Sequence, residues 1–294
     1  MSWRTVVISN RAKLELKLNY LIVRTDEILK IHLSEIGALV LESTAVSITA
    51  ALLSELSAKK ILVIICDEKR NPCSILLNLY GSYDCSGKLR SQLQWTDQVK
   101  AEIWTRIVGE KIFRQSLVLL HCGLHEDYEK LIGYLDEIQH NDSSNREGHA
   151  AKVYFNSLFG ATFSRGNDSI INGALDYGYA VIMSLVSREI VSSGFNTQVG
   201  IFHDSQSNPF NLSCDLMEPL RPILDEHILN QSFLELDELN HDSKMKILEL
   251  LRTNVSIDGK KQVFTNAVKI YVQSVFKAID NGDAGLIRFI ENEL

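Results

Sequence analysis

The spacing of apolar residues changes once along this chain, from alternation to a helical repeat. In the first third, apolar and charged residues alternate at Leu14–Leu18 and again at Leu29–Leu33, which is the pattern of strands with one buried face. From position 96 onward apolar residues return every fourth position, as at Val99, Ile103 and Ile107, which indicates helices. The sequence therefore predicts an α+β fold, with a small N-terminal β-rich domain followed by a larger all-helical C-terminal domain.

Turns and apolar runs divide the β-rich part into elements. Arg24–Glu27 is a polar turn between two alternating runs, so a hairpin is predicted there. Ile61–Cys66 and Cys73–Tyr80 are mostly apolar and predict strands buried on both faces. Arg4–Ser9 predicts a further strand, and the apolar spacing within Val46–Leu56 predicts a helix.

The segment Tyr83–Leu93 is polar and contains a glycine, which is typical of a linker. We therefore predict a β-rich domain at residues 1–85, a linker at 86–96 and a helical domain at 97–294. Thr96 is placed to cap the first long helix, and Asp258-Gly259 predicts a late hairpin. Further helices are predicted at residues 124–138, 146–159, 171–191, 219–229, 243–251 and 264–279.

Charge and cysteine content limit the class of protein. Thirty Lys and Arg residues against 37 Asp and Glu give a net charge of −7, which does not favour nucleic acid or an anionic membrane but leaves room for a local basic groove. The five cysteines are odd in number and form no C-x-x-C pair, so we expect reduced thiols. With no signal-peptide core and no long apolar run, we expect a soluble, cytoplasmic protein.

The segment HDSQSNPFNLSCDLMEPLRP, residues 203–222, places one imidazole near two carboxylates. Asp215 and Glu218 are three residues apart and share a face of any helix they occupy. They either cap and pair within that helix, with Glu218 binding Arg221, or join His203 in a metal site of the kind Mn²⁺ or Zn²⁺ prefers. The adjacent prolines predict that the acids lie at a helix start. His203 itself ends an apolar, strand-like run and is either a satisfied core histidine or a ligand.

Glu147 is a third candidate acid, and it also has a structural explanation. Ser144 and Glu147 have the spacing of a capping box. On a helix, however, Glu147 shares an apolar face with Ala150 and Tyr154, and a carboxylate there needs a metal or a basic partner. His149 points away from that face. Four basic residues flank the candidate acids and either hold phosphates or are simply solvated: Arg146, Lys152, Arg165 and Arg221.

Several common catalytic motifs are missing from the sequence. It contains no phosphate-binding G-x-x-x-x-G-K-[ST] or G-x-G-x-x-G loop and no G-x-S-x-G nucleophile elbow. Tyr177 and Tyr179 lie on a long apolar helix, where tyrosines are usually part of the core.

Three segments together resemble a known family: REGHAAKVYF (146–155), GALDYGYAVIMSLVSREI (173–190) with GIFH (200–203), and DLMEPLRP (215–222). Their order and spacing are similar to those of the CRISPR-associated integrase, the catalytic subunit of the spacer-acquisition complex, and look most like its type II-A branch. Asp176 stands where many members have Asn, and Leu220 where Phe is common. Many members also have Asp at the position of Glu218.

The resemblance implies a metal site formed by Glu147, His203 and Glu218, holding Mg²⁺ or Mn²⁺, with Asp215 orienting His203 or a metal-bound water. It implies a metal-dependent DNA endonuclease and integrase, which is hydrolase-class phosphodiester chemistry. A 3′-hydroxyl of a short duplex attacks a phosphodiester of the CRISPR repeat, so that a spacer is inserted in antiviral defence.

The resemblance also implies partners. These are double-stranded DNA as prespacer and repeat, a second copy of the chain bound through the β domain, a small CRISPR-associated partner dimer that bridges two such dimers, and the RNA-guided nuclease of the same operon. No membrane is expected.

Two other functions stay open from the sequence: a non-catalytic scaffold that binds DNA ends, and a general metal-dependent phosphodiesterase acting on small nucleotides. An integrase with this net charge should gather its basic residues on one DNA-binding face.

Overall fold

The computed structural model describes residues 4–231, 233 and 238–291; the remaining ends of the predicted domains lie outside these residues. The N-terminal part contains β1 (Arg4–Ile8), β2 (Ala12–Lys17), β3 (Tyr20–Arg24), β4 (Ile28–His32), β5 (Ile36–Leu41), β6 (Val46–Ile48), α1 (Ala50–Ala58), β7 (Leu62–Cys66) and β8 (Pro72–Leu76).

These strands form two sheets that share one core. The first has the order β1-β5-β7-β8, with β8 antiparallel to its parallel neighbours, and the second has the order β4-β3-β2-β6. Leu14 and Leu21 of the second sheet, Leu39 of the first and Leu52 of α1 are fully buried in a single cluster. The alternation seen in the sequence therefore places one face of the second sheet against the first.

Helices dominate the rest of the described chain. They are α2 (Cys85–Gln92), α3 (Asp97–His121), α4 (His125–Asp136), α5 (Arg146–Phe159), α6 (Ile170–Ser192), α7 (Asn211–Met217), α8 (Arg221–Leu229), α9 (His241–Glu249) and α10 (Phe264–Asn281). A 3-10 turn, Glu218–Leu220, joins α7 to α8, and β9 (Asn254–Ile257), β10 (Lys260–Val263) and β11 (Ile290–Glu291) form a small sheet. The predicted fold class, β-rich and then helical, is confirmed.

Two local predictions differ from the structure, and one strand was not predicted. The predicted helix over Val46–Leu56 begins with the strand β6 and becomes helical only at Ala50, because Thr49 caps there by accepting the Leu52 N–H at 3.4 Å. The second apolar run forms β8, an edge strand with Cys73 exposed rather than a strand buried on both faces. Strand β5 was not predicted, although its apolar run is of the same kind as Ile61–Cys66.

The predicted linker contains a helix. Residues 85–92 form α2, and Gln92 at its end is buried. The Gln92 side chain donates to the carbonyls of Asn196 and Val199, each at 2.8 Å, and accepts the Asn196 N–H at 2.8 Å. This short helix therefore anchors the loop that leads to His203.

Helix α6 is the centre of the helical part. It is long and apolar enough to cross a membrane by length and composition, but 67% of its most apolar window is buried inside the protein, which is the pattern of a core helix. It packs against α7, α8 and α10. At Gly178 an added Cβ would lie 2.5 Å from a Leu224 methyl group, so glycine lets α6 approach α8, the helix that follows directly after the turn containing Glu218.

Candidate active site

A buried carboxylate holds the loop that carries His203. Asp215 in α7 is fully buried and accepts the N–H groups of Ile201 at 2.6 Å, Phe202 at 3.1 Å and His203 at 3.0 Å. It also lies 2.6 Å from Nδ1 of the His203 ring. The Nδ1–H therefore donates to Asp215, which leaves Nε2 as the ring nitrogen available to a ligand. This hydrogen bond raises the pKa of His203 despite the opposing effect of burial.

The loop reaches this carboxylate because it contains a glycine. An added Cβ at Gly200 would lie 2.2 Å from the His203 carbonyl oxygen and 2.8 Å from Asp215 Oδ2, so no larger residue fits without displacing backbone. Asn211 fixes the loop from the other side, donating to the carbonyls of Gln198 at 3.1 Å and Ser205 at 2.9 Å. Residues 199–203 are irregular rather than a strand, and the N–H groups of residues 201–203 bind Asp215 instead of a neighbouring strand.

The two acids of the motif are not at a helix start as predicted. Asp215 lies inside α7, and Glu218 begins the 3-10 turn that follows. The backbone donors that stabilise Asp215 come from the loop at 201–203 and not from its own helix. The proline at 219 forms part of the turn, where its missing N–H is tolerated.

Glu147 lies in the first turn of α5, but Ser144 does not cap it. Asp142 caps the helix instead, accepting the N–H groups of Arg146 at 2.8 Å and Glu147 at 3.0 Å. Ser144 Oγ donates to the Glu137 carbonyl at 3.1 Å. The capping box is therefore absent and the Glu147 carboxylate is free to point toward α3.

A buried lysine of α3 lies between the two glutamates. Lys111 is 5% exposed, and its Nζ is 2.5 Å from Glu218 Oε2 and bonded to Glu147 Oε1. Burial alone would lower the pKa of Lys111, but the charges of Glu218 and Glu147 outweigh that effect and raise it. The ammonium group therefore stays protonated and links α3, α5 and the turn after α7.

Glu218 has a second cationic partner, Arg221, and this is the ion pair that the sequence offered as an alternative to a metal site. Arg221 Nε donates to Glu218 Oε1 at 2.9 Å. Burial alone would raise the pKa of Glu218, but Lys111 and Arg221 hold it at about 2. Glu218 is thus ionised at all ordinary pH values, as a metal ligand must be.

Lys111 was not identified from the sequence, although a signal for it exists. Ile103 and Ile107 are fully buried on α3, and the next member of that fourfold spacing is Lys111. A lysine on a buried stripe needs carboxylate partners. Continuing the helical repeat would therefore have predicted a buried ion pair, though not which acids form it.

The donor set fits a divalent ion, provided that the Lys111 ammonium group moves from between the two carboxylates. Glu147 and Glu218 both converge on one cation, His203 Nε2 has no hydrogen-bond partner within the described ranges, and carboxylate oxygens with an imidazole suit Mn²⁺ and Mg²⁺. The three side chains do not converge as they stand, since residues 4–231, 233 and 238–291 contain no close group of three such ligands. The Lys111 ammonium lies where the two carboxylates meet.

Comparison with known proteins decides the family. The family model described as CRISPR associated protein Cas1 matches residues 5–244. The chain belongs to the Cas1 family. A CRISPR-associated endonuclease Cas1 of Neisseria meningitidis serogroup C is 32% identical over 296 residues, covering 99% of this chain and 97% of that protein. The resemblance inferred from the three segments is thereby confirmed, and the type II-A branch stays a prediction.

Solved structures show the same Cas1 fold. A casposase bound to integration product matches with a TM-score of 0.75 at 18% identity, covering 96% of this chain and 91% of that one. A chain of a Cas6-RT-Cas1–Cas2 complex matches with a TM-score of 0.73 at 20% identity, covering 99% of this chain and 36% of that longer chain. At these identities the similarity establishes the fold alone.

Three of the four basic residues proposed to hold DNA have other partners in this Cas1 chain. Arg146 lies 2.9 Å from Glu137, Arg165 lies 2.5 Å from Asp176, and Arg221 is committed to Glu218. Lys152 is exposed, with no ion pair in the part of the chain that is described. Lys152 is thus the member best placed to meet a phosphate directly.

An aromatic surface adjoins the histidine of this Cas1 site. Phe202 is 47% exposed and stacks on the buried Trp104 ring, with ring centroids 4.4 Å apart. The His203 ring meets Trp104 edge-on at 5.8 Å. Trp104 thereby supports the imidazole from α3, while Phe202 offers its outer face to solvent beside the site.

A buried carboxylate of α8 accepts hydrogen bonds from two tyrosines. Asp225 of α8 accepts Tyr179 Oη–H at 2.6 Å and Tyr154 Oη–H at 3.1 Å. Burial raises the pKa of Asp225 to about 6, against the opposing effect of these hydrogen bonds. The Arg221 guanidinium lies 4.5 Å from the Tyr179 ring centre, so this network supports the arginine that binds Glu218.

Asp225 makes stability depend on pH. Its pKa in the folded state, about 6, exceeds the unfolded value of 3.8, so its contribution to stability is full below pH 4 and is lost as the pH rises through 6. Compared with Asp225→Asn, which cannot titrate, the wild-type free energy of unfolding should fall by up to about 3 kcal/mol between pH 4 and pH 7.5. Urea unfolding of both proteins across this range measures the difference, and parallel curves would contradict the assignment.

Proposed function

We propose that this Cas1 chain is a metal-dependent DNA endonuclease and integrase that inserts short duplex DNA into a CRISPR repeat. The observation that carries the proposal is the Asp215–His203 pair beside two glutamates that converge on one cation. The family membership and the fold shared with a casposase bound to integration product support it. We further propose Mg²⁺ or Mn²⁺ as cofactor and the cytoplasm as the location.

The reaction trades one phosphodiester for another. The 3′-oxygen of the incoming strand forms a bond to a phosphorus atom of the repeat, and the bond from that phosphorus to the 3′-oxygen of the cut strand breaks. No external energy source is needed, so the protein has to position the hydroxyl and stabilise negative charge on the phosphoryl oxygens.

Glu147, Glu218 and His203 Nε2 are the groups that would hold the ion in this proposal. A bound divalent ion would lower the pKa of the attacking hydroxyl and act as a Lewis acid toward the phosphate. Asp215 keeps the His203 proton on Nδ1 and so keeps Nε2 unprotonated when the ring is neutral. Lys111 supplies a positive charge to both glutamates and helps to keep Glu218 ionised.

Partners follow from the same proposal. We propose duplex DNA as substrate, a homodimer, a small Cas2-type partner dimer, in line with the Cas1–Cas2 complex whose chain shares the fold, and the RNA-guided nuclease of the operon. The exposed faces of Phe202 and Lys152 lie on surface available to DNA, where an aromatic ring can stack on a base and a lysine can bind a phosphate.

Single substitutions test the catalytic proposal. His203→Ala and Glu218→Gln should each reduce joining of a labelled prespacer into a repeat-containing plasmid by roughly 10²–10³-fold with Mn²⁺ present, because each removes one active-site group. His149→Ala is the matched control, since that histidine is exposed on α5, and it should join at the wild-type rate. A titration of MnCl₂ accompanies each variant.

Three outcomes would overturn the assignment. Wild-type joining by His203→Ala would remove the proposed site. Metal-independent DNA-end binding with no joining by the wild-type protein would favour a scaffold. Hydrolysis of small nucleotides with no dependence on DNA length would instead favour a general phosphodiesterase.

A further inference from the structure

A cavity of about 360 Å³ lies between the β-rich and helical parts, away from the candidate active site. Its walls come from the end of α1, the end of α6, and the region where β10 runs into α10. None of the residues around Glu147, His203 or Glu218 lines it. The cavity is therefore separate from the proposed catalytic chemistry.

Positive charge dominates this cavity. Four basic side chains line it, namely Lys59, Lys60, Arg188 and Lys269, and Glu189 is the one acidic residue of that lining. Glu189 is bound by Arg188 at 2.5 Å. Lys59 pairs with Glu55 outside the lining at 3.1 Å. Lys269 is exposed and has no ion pair with any residue described, so the cavity still carries surplus positive charge in a protein whose net charge is −7.

Apart from its ion pair with Glu189, Arg188 contacts backbone carbonyl groups. Its Nη1 lies 3.4 Å from the Gly37 carbonyl and 3.5 Å from the Lys60 carbonyl, which are long contacts. Its Nε is buried and has no hydrogen-bond partner in the described part of the chain. Lys60 is similarly anchored, donating to the Ser192 carbonyl at 3.0 Å. The cavity thus keeps fixed cations whose hydrogen-bonding capacity is not fully used.

The start of α10 adds uncharged donors. Val263 precedes this 18-residue helix, whose first N–H, that of Phe264, donates to the Thr253 carbonyl at 2.8 Å. No side chain caps the N–H groups that follow, so these groups and the helix dipole favour an anion. Thr265, Asn266 and Gln262 line the same wall. Asn266 donates to Gln262 Oε1 at 2.7 Å, which leaves the Gln262 amino group as a further donor.

We propose that this cavity binds the phosphate of a nucleotide. Fixed cations, an uncapped helix start and neutral donors together are the chemistry that recognises phosphate. The volume exceeds what a phosphate alone fills, and side-chain amides, which include Gln273 on the outer wall, can both donate to and accept from a base edge. The nucleotide is either free or an unpaired residue of a DNA strand, since a duplex is too wide for a cavity of this size.

Binding measurements with a double variant test the proposal. Lys59→Gln with Lys269→Gln removes two exposed cations of the cavity and leaves the catalytic residues untouched. Thymidine 5′-monophosphate and a fluorescein-labelled ten-nucleotide single strand are titrated by calorimetry and anisotropy. The dissociation constant of the probe that binds should rise roughly tenfold or more, and the dependence on salt should weaken. Lys277→Gln, also on α10 but outside the cavity, is the matched control and should bind as the wild type does.

The probes separate the two sources of phosphate. If the wild type binds the mononucleotide and the double variant does not, the ligand is a free nucleotide. If the wild type binds only the single strand and the double variant does not, the ligand is an unpaired residue of a strand. Inorganic phosphate binding as tightly as the mononucleotide would contradict base recognition. The proposal is wrong if neither probe binds the wild type or if the double variant binds both unchanged, and neither result bears on the joining reaction.

Discussion

Asp215→Ala is expected to lower the free energy of unfolding by at least about 4 kcal/mol and to reduce strand joining by about 10³-fold. The substitution leaves three N–H groups of residues 201–203 without their acceptor and frees the His203 ring. Each buried unsatisfied donor costs about 1–3 kcal/mol. Urea unfolding measures the first effect, and joining at a temperature well below the midpoint measures the second.

The control and a milder variant separate folding from positioning. Asp204→Ala removes an exposed carboxylate of the same loop and should change stability by less than about 0.5 kcal/mol. Asp215→Asn keeps one oxygen acceptor but turns an amino group toward backbone donors, so it should fold and still lose most joining. Full activity in Asp215→Asn would show that the carboxylate does not position the histidine.

Lys111→Met should lower the free energy of unfolding by about 3–5 kcal/mol, since it leaves Glu218 buried with only Arg221 as partner and sets two glutamates against each other. The pKa of Glu218 should rise from about 2 when its largest neighbouring charge is removed. If the metal proposal is correct, MnCl₂ should restore part of this loss of stability, because a divalent ion would then neutralise the same carboxylates.

The matched control for Lys111→Met lies on the same helix. Lys100 pairs with Asp97 at 3.0 Å on the exposed side of α3, so Lys100→Met should cost less than about 1 kcal/mol and show no response to MnCl₂. Equal losses in the two variants would contradict the central role given to Lys111. Melting curves with and without the ion measure all four conditions.

The fold was predictable where one physical signal controls the structure. Alternation and helical repeat placed the β-rich and helical parts correctly, and Thr96 caps α3 as predicted, accepting the Val99 N–H at 3.3 Å. The local sequence pattern gave a wrong prediction where contacts between distant residues determine the structure. The helix that contains Glu147 is capped by Asp142 and not by Ser144, because the chain turns through positive φ at Asp142, which brings its carboxylate to the start of the helix.

The candidate site was predictable only in part. Spacing brought Asp215 and Glu218 near each other, and the structure adds that His203 binds Asp215. Spacing could not show that Asp215 reaches backbone 12 to 14 residues away, since that depends on the tight curl at Gly200. The repeat of α3 points to Lys111 itself, but its partners lie on α5 and in the turn after α7, and no pattern within α3 identifies them.

The placement of the acids divides the site between two separately anchored parts of the fold. Asp215 and Glu218 lie within one turn of each other, and Asp215 also carries the His203 loop, so the imidazole and one glutamate travel together with α7. Glu147 is carried by α5 and reaches them only through Lys111. A change in the distance between Glu147 and the other two groups therefore requires α5 to move relative to α7, and the buried Tyr154–Asp225 hydrogen bond between α5 and α8 resists that movement.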